Sequence, residues 1–279
     1  MATNPMSELI ELVNSEASRL REYLSQLDEA SWSRDSACEG WKVGDVVGHL
    51  ASGGATWANS ITRAIDGDAG PPAGGAFLQP GERGSSTIAQ AAIAIHQEMG
   101  TKLLDNFSEG YDRLRQVMAG LQPEDWDKLC FHRRGPMPVR DYVAVRLQEL
   151  AVHSWDIRSG LDASAQISQE TLPWMVGRVQ RWVDNAFRPG LDLPAPVTYR
   201  FDVAAPVPVH EDFLVNGDTF QRVPDSQGPA DVTFKCDTGN FILMIFGRLD
   251  VDRAVASGRL AVEGPKDLAA NFTSWFEGF

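Results

Sequence analysis

The hydrophobic pattern of this chain changes its period once, near residue 190. Before that point, apolar residues recur at roughly the 3.6-residue spacing of amphipathic helices. After it, runs such as TYRFDVA and DVTFKCD alternate in the way that strands do. The change coincides with PGLDLPAPV, whose prolines and glycine are typical of a linker. The 279-residue chain is therefore predicted to form a helical domain over 1–190 and a smaller α+β domain over 191–279.

The helical part is predicted to contain five helices and one long loop. The helices are expected over 6–30, 43–65, 87–121, 138–160 and 169–187. The third should kink near Gly100 or Gly110, because glycine weakens a helix interior. The loop covers 66–86 and contains GDAGPPAGG, and loops of this length are often functional. The second domain should contain a short helix over 239–246, followed by helix, strand and helix in VDRAVASG, RLAVEG and LAANFTSWF.

The charge of the chain narrows the choice of partners. With 25 Lys and Arg against 38 Asp and Glu, the formal net charge is -13, which disfavours nucleic acid and anionic membrane surfaces. The first residues, MATNPMSELIELV, lack the features of a secretory signal, and no run of eighteen apolar residues occurs. We expect a cytoplasmic protein, either a monomer or a homodimer, that acts on small molecules.

The cysteines point to no disulfide framework. Cys38, Cys130 and Cys236 are odd in number and far apart, and they form no CxxC pair. Each is interpreted as a buried or partly buried thiol. None of them is assigned a catalytic role.

Glu149 and His153 have the spacing of a metal-ligand pair on one helix. Four residues apart, they project from the same helix face. Alone the pair is a weak signal, because helix surfaces produce such pairs by chance. Its neighbours are apolar, however, which places it close to a buried stripe where a charge needs a partner. These neighbours are Val145, Leu150, Val152 and Ile157.

His49 has a similar setting in DVVGHLAS, on the second predicted helix. By itself it is better interpreted as a core histidine. Two histidines and a carboxylate from two helices would make a three-ligand set for a catalytic divalent metal, with one position left for water or substrate. Asp156 could hold the ring of His153, or it could be a surface acid near Arg158. A closed structural site would need a fourth ligand, and His132, near Cys130, is the residue that could supply one.

Two segments carry a family resemblance. GWKVGDVVGHLA and RLQELAVHSWDIRSGL, with the long loop between them, resemble the DinB-like metal-binding four-helix bundles of the mycothiol-dependent maleylpyruvate isomerase family over about residues 6–190. The resemblance implies that His49, Glu149 and His153 are the metal ligands. The last ninety or so residues resemble the sterol-carrier-protein-like α+β domain that accompanies these bundles, with its "GR" at Gly247 and Arg248.

The resemblance also implies a chemistry. Zinc, or another divalent ion, would bind the sulfur of a low-molecular-weight thiol of the mycothiol type and keep it as a thiolate. The thiolate could add to an activated alkene and leave again, which isomerises a cis dicarboxylate such as maleylpyruvate. It could equally displace a leaving group in S-transfer or conjugation. Arg83 and Arg248 are the candidates for binding substrate carboxylates, with Arg133 and Arg134 as further options.

A function from another class stays open. The bundle could hold its metal for structure only, while the second domain binds an apolar ligand without catalysis. That interpretation predicts a closed metal site with a fourth protein ligand. His96, His132 and His210 lack the E-x-x-x-H-like context of the predicted ligands.

Overall fold

The fold is described from a computed structural model, which covers residues 5–79, 85–190 and 195–278. The chain divides into two compact units, Met1–Ser168 and Gln169–Phe279. The division falls earlier in the chain than the change of sequence pattern near residue 190. The first unit is helical and the second combines helices with a sheet, so the predicted mixed fold class is confirmed. No helix in the described part of the chain is long and apolar enough to cross a membrane.

The first unit is built from helices and one short hairpin. Its helices are α1 (Pro5–Ser25), α2 (Glu29–Trp32), α3 (Val43–Ile65), α4 (Ser85–Met99), α5 (Leu103–Ala119) and α6 (Val139–Ser159). Strands β1 (Leu129–Cys130) and β2 (Met137–Pro138) pair antiparallel just before α6. The predicted loop contains no helix or strand over the described residues 66–79, and Arg83 lies outside the described residues.

Helix α3 has the bounds that the sequence predicts. It begins where the Asp45 side chain accepts a hydrogen bond from the backbone N–H of Lys42, at 2.8 Å. Its middle passes very close to α5, since a Cβ on Gly54 would lie 2.9 Å from the carbonyl carbon of Gly110. Glycine at both positions therefore permits the contact of α3 with α5.

The predicted break in the third helix occurs at Gly100. This residue has a φ of 49° and starts a single 3-10 turn, Gly100–Lys102, between α4 and α5. Gly110 lies within α5, where the helix continues. The positive φ is readily adopted by glycine, so the chain can change direction there.

Helix α6 is buried around most of its circumference. It packs against α1 and α3, and its buried residues include charged groups as well as apolar ones. A helix in the middle of a bundle has no solvent face for such groups, so they must find partners inside the unit. This helix carries most of the candidate site.

The second unit begins with short helical pieces. A 3-10 turn at Gln169–Thr171 leads into α7 (Leu172–Val176), and α8 follows (Val179–Ala186). The continuous helix predicted over 169–187 is therefore wrong. The N–H of Gly177 bonds to the carbonyl oxygens of the preceding turn, and Gly177 and Arg178 separate the two helices.

The remainder of the second unit is a sheet with helices. Its strands are β3 (Val197–Val203), β4 (Val209–Asn216), β5 (Thr219–Pro224), β6 (Val232–Cys236) and β7 (Ala261–Glu263). Over the described residues they are ordered β5-β4-β3-β6-β7, with β3 and β6 parallel and the other pairs antiparallel. Three helices accompany them in this part of the chain: α9 (Thr238–Ile245), α10 (Val251–Ala256) and α11 (Lys266–Trp275).

Aromatic rings form the core of the second unit. Phe201 lies at the centre, with its ring 5.0 to 5.2 Å from four other phenylalanine rings. All of these side chains are fully buried. They are Phe213, Phe234, Phe241 and Phe272. Alternation along β3 directs Tyr199, Phe201 and Val203 to this core, as the strand pattern predicts.

Candidate metal centre

Helices α3 and α6 bring the three predicted ligands together. Nε2 of His49 lies 3.0 Å from Oε2 of Glu149, although the two residues are 100 positions apart. Nε2 of His153 lies 3.6 Å from the same Oε2. The rings of the two histidines meet edge to face, with centroids 4.9 Å apart. One carboxylate oxygen therefore faces two imidazole nitrogens.

This arrangement fits a divalent metal ion. One ligand atom from each of the three side chains lies within 4.8 Å of the other two. A tetrahedral ion with bonds of about 2.1 Å needs ligand atoms roughly 3.4 Å apart, so small side-chain adjustments suffice. Two imidazoles and a carboxylate are a donor set typical of catalytic zinc. The side chains of His49, Glu149 and His153 remain 20%, 23% and 12% exposed, so solvent reaches the cluster.

Asp156 orients the ring of His153. Its Oδ2 lies 2.8 Å from Nδ1 of His153, and the side chain is completely buried. A carboxylate bonded to one ring nitrogen leaves the other nitrogen as the one available to a metal. Burial excludes the alternative of a surface acid. Nε of Arg158 instead donates to the carbonyl oxygen of Ser154.

Two residues from the loop before α3 also lie at the site, and the sequence analysis gave neither a role. The Trp41 ring stacks on His153, with centroids 6.4 Å apart, and meets His49 edge to face at 5.6 Å. Cys38 offers a sulfur within 4.8 Å of ligand atoms of His153 and Asp156. The position of Trp41, inside the motif that carries His49, was the available signal for it.

The protonation of the cluster follows from burial and mutual bonding. Burial lowers the pKa of His49, which outweighs its bond to Glu149. Burial alone would raise the pKa of Glu149, but bonds from His153 and His49 bring it well below its usual range. Burial would lower the pKa of His153, yet bonds to Asp156 and Glu149 raise it. Glu149 is therefore a carboxylate at neutral pH, and His153 is the imidazole that binds a proton more readily.

The predicted arginines differ in where they lie. Arg133 is in the turn between β1 and β2. Burial and the charge of Arg134 lower the pKa of Arg133, and the charge of Glu149 opposes them. Arg248 lies in the second unit, where its Nη1 donates to the carbonyl oxygen of Phe246. For Arg83 no position is described.

The other histidines stand apart from the cluster. Nδ1 of His96 lies 2.7 Å from Oδ1 of Asp45, and the His132 ring lies 6.3 Å from that of Tyr142. His210 belongs to the second unit, where its ring bonds to the carbonyl oxygen of Ser226. Among the described residues, none of the three joins a group with the geometry of a metal site. His132 therefore does not complete a closed site.

Comparison with known proteins identifies the family. A sequence model described as the mycothiol maleylpyruvate isomerase N-terminal domain matches residues 13–158, slightly more than half of the chain. The chain belongs to this family. A second model, the SCP-2 sterol transfer family, matches residues 195–277. Both matches confirm the resemblance that the sequence carries.

The fold of this chain is similar to that of solved structures. The crystal structure of the mycothiol-dependent maleylpyruvate isomerase matches with a TM-score of 0.63 and 18% identity, and covers 95% of this chain and 98% of that chain. A histidine-to-alanine mutant of that enzyme matches with the same values. At this identity the likeness establishes the fold. The search of curated proteins found no match.

Proposed function

We propose that this chain is a metal-dependent enzyme that uses a low-molecular-weight thiol of the mycothiol type. His49, Glu149 and His153 would hold the divalent ion, with zinc as the expected metal. The single observation that carries the proposal is the convergence of these three side chains from α3 and α6 on one partly exposed point. The family description names mycothiol and maleylpyruvate, which supports the choice of thiol and reaction.

When bound, a divalent ion lowers the pKa of a thiol, so that the sulfur reacts as a thiolate at neutral pH. The thiolate would add to an alkene carbon conjugated with a carbonyl group, which forms a C–S bond, turns the double bond into a single bond and moves its electron pair onto the carbonyl oxygen as an enolate. Rotation follows. The C–S bond then breaks, the double bond re-forms in the trans geometry, and the thiol is recovered unchanged.

The residues of the chain prepare this site in distinct ways. Glu149 supplies a negative charge that offsets part of the charge of the ion. Asp156 fixes the ring of His153, and Trp41 packs against both imidazoles and limits their rotation. Arg133, whose pKa is raised by the charge of Glu149 against the effect of burial, is suited to a substrate carboxylate. Arg83 and Arg248 remain candidates for the same role.

The same site would support S-transfer or conjugation, in which the thiolate displaces a leaving group. The proposed isomerase and the S-transferase differ in the electrophile and not in the metal or the thiol. The non-catalytic alternative, a structural metal with an apolar ligand in the second unit, requires a closed site. The exposed fractions of the three side chains, and the position of His132 outside the cluster, favour catalysis.

The proposal is tested by measuring metal content and thiol-dependent turnover of maleylpyruvate and of an electrophilic S-conjugate. The wild type should contain about one divalent ion and turn over at least one of the two substrates only when thiol is present. His153→Ala should lose the ion and the turnover together, because two protein ligands hold zinc poorly. Tightly bound metal in a wild type that neither binds thiol nor turns over would refute the enzyme and support the structural alternative.

His96→Ala is the matched control for His153→Ala. It removes a half-buried histidine bonded to a carboxylate on the same bundle, outside the proposed ligand set. It should keep the metal and the thiol-dependent activity. Equal losses in the two variants would indicate general damage to the bundle and would contradict the assigned role of His153.

A further inference from the structure

A buried cation lies one helical turn from the proposed metal ligands. Arg146 precedes Glu149 by one turn on the same face of α6, and only 1% of its surface is exposed. Its Nη2 donates to the carbonyl oxygen of Leu50, at 3.0 Å, while its buried Nε has no hydrogen-bond partner. Within the described residues, no carboxylate lies within 4 Å of its guanidinium. A buried polar atom without a partner calls for an explanation, such as a ligand that binds there.

Two aromatic rings and a glycine surround the guanidinium of Arg146. It lies over the rings of Trp57 and Tyr111, with centroids 5.4 and 5.0 Å from Cζ. On α3, a Cβ at Gly53 would lie 2.6 Å from Nη1, so glycine makes room for the guanidinium. The hydroxyl of Tyr111 is also buried and without a partner. Two hydrogen-bond donors in one place therefore lack an acceptor.

Aromatic contacts do not replace a counter-ion for this cation. A guanidinium over a ring is attracted weakly compared with the loss of its hydration on burial. Among the described residues, Glu149 is the acid whose charge raises the pKa of Arg146 against burial, and it is already bonded to His49 and faces His153. A divalent ion at the cluster would add positive charge to this part of the bundle. The interior therefore suits an additional anion.

We propose that Arg146, together with the Tyr111 hydroxyl, binds a carboxylate of the electrophilic substrate in the layer of the bundle next to the metal ligands. The identity of the anion rests on the proposed function, while the anion site itself does not. Arginine matches the planar, two-oxygen geometry of a carboxylate. Because the overall charge of the chain is -13, an anion needs such a local cation to bind.

The spacing of the two layers fits such a substrate. His49 and Gly53 lie one turn apart on α3, and Glu149 and Arg146 lie one turn apart on α6. The contact of His49 with Glu149 and that of Gly53 with Arg146 therefore form two neighbouring layers. One turn corresponds to about 5.4 Å along a helix. A hydrogen bond of about 2.9 Å and the few covalent bonds between a carboxylate oxygen and a conjugated alkene carbon span a similar distance. Arg146 would hold the carboxylate while the alkene reaches the thiol sulfur.

The test uses the metal-free full-length chain and maleate, a small cis dicarboxylate, with neutral maleamide as the comparison ligand. Isothermal titration should detect binding of maleate and not of maleamide. Arg146→Gln should weaken maleate binding by about 10–100-fold, because it removes a hydrogen bond between charged groups. Arg146→Lys should restore part of it. The matched control, Arg115→Gln, removes an exposed arginine that pairs with Asp112, and should leave maleate binding unchanged.

Tyr111→Phe keeps the inference testable if Arg146→Gln fails to fold. It removes only a hydroxyl that has no partner in the structure, so a purely structural role predicts unchanged or higher stability and unchanged maleate binding. A site that uses the hydroxyl predicts weaker maleate binding in a variant of normal stability. Gly53→Ala, which would displace the guanidinium of Arg146 without changing its charge, should also weaken maleate binding.

The outcomes separate the anion site from the proposed function. In the active enzyme, Arg146→Lys should raise the KM for a carboxylate substrate more than it lowers kcat. If Arg146→Gln loses maleate binding and the wild type shows no thiol-dependent turnover, the anion site is supported and the proposed enzymatic function is refuted. Absence of maleate binding in the wild type, or equal binding in the folded Arg146 and Tyr111 variants, would overturn the anion site even if the enzyme turns over.

Discussion

Helix α3 contributes to two histidine–carboxylate clusters, which differ in the number of side chains that they bring together. Toward α6, His49 bonds to Glu149 at 3.0 Å, and toward α4, Asp45 bonds to His96 at 2.7 Å. In the second cluster both carboxylate oxygens are occupied, since Oδ2 of Asp45 accepts from the N–H of Lys42. In the first, one oxygen of Glu149 faces two imidazoles that solvent reaches.

The two clusters show what distinguishes a candidate metal site from a structural pair. The His96 ring fills the space above Gly44, where a Cβ would lie 2.2 Å from its Nε2. The pair therefore connects α4 to the start of α3, and among the described residues no third metal-ligating group converges on it. A buried histidine bonded to a carboxylate is therefore not sufficient for a metal site. Several donors must converge on one accessible point.

Substitution of the two carboxylates should separate the clusters most strongly. Glu149→Gln should weaken zinc binding by more than about 100-fold, since a ligand contributes more than the groups that orient ligands. Asp45→Asn should leave zinc affinity unchanged, because Asp45 belongs to the structural pair. Competition with a chromogenic chelator measures both values. Similar losses in the two variants would remove the distinction between the clusters.

The next effect concerns Asp156 and pH. Asp156→Asn should weaken zinc binding by about 10–100-fold, as is usual for the partner of a metal-binding histidine. Protons compete with the metal for His153, whose pKa is raised by Asp156 and Glu149 against the effect of burial. Apparent affinity in the wild type should therefore fall as pH drops through this raised pKa. Asp156→Asn removes one cause of the raised pKa of His153, so the zinc affinity of the variant should begin to fall at lower pH than that of the wild type. An unchanged pH profile would contradict the role of Asp156.

The smallest effect concerns the structural pair. His96→Ala should lower the free energy of unfolding by about 1–3 kcal/mol, because the buried Oδ1 of Asp45 loses its partner. Denaturant titration of the metal-free protein measures this change, and zinc affinity should stay within about twofold if the pair has no part in the metal site. A loss of zinc affinity well beyond twofold would place His96 in the metal site.

The helices of the first unit were largely predictable from their own residues. The bounds of α3 followed from its apolar pattern, and the weakness of glycine in a helix indicated a break at Gly100 or Gly110, of which the structure has the one at Gly100. The interruption at Gly177 was missed because the apolar pattern continues across it. The hairpin of β1 and β2 was missed as well, since strands of two residues have no period to detect.

The candidate site was only partly predictable. The spacing of Glu149 and His153 indicated a shared face, while Trp41 and Arg146 were assigned no role. The partners of Arg146 are Leu50 and Gly53 on α3 and Tyr111 on α5, and no local spacing relates these positions. Asp156 remained undecided in sequence because its burial depends on the packing around α6.

The four-residue spacing of Glu149 and His153 is enough to place both side chains on one face of a helix. Hydrogen bonding along a helix sets that relation, whatever surrounds it. No such local rule brings His49 rather than His96 to this face, or places Gly53 against Arg146. Contacts between helices depend on their rotation and closeness of approach, which the packing of the whole unit sets.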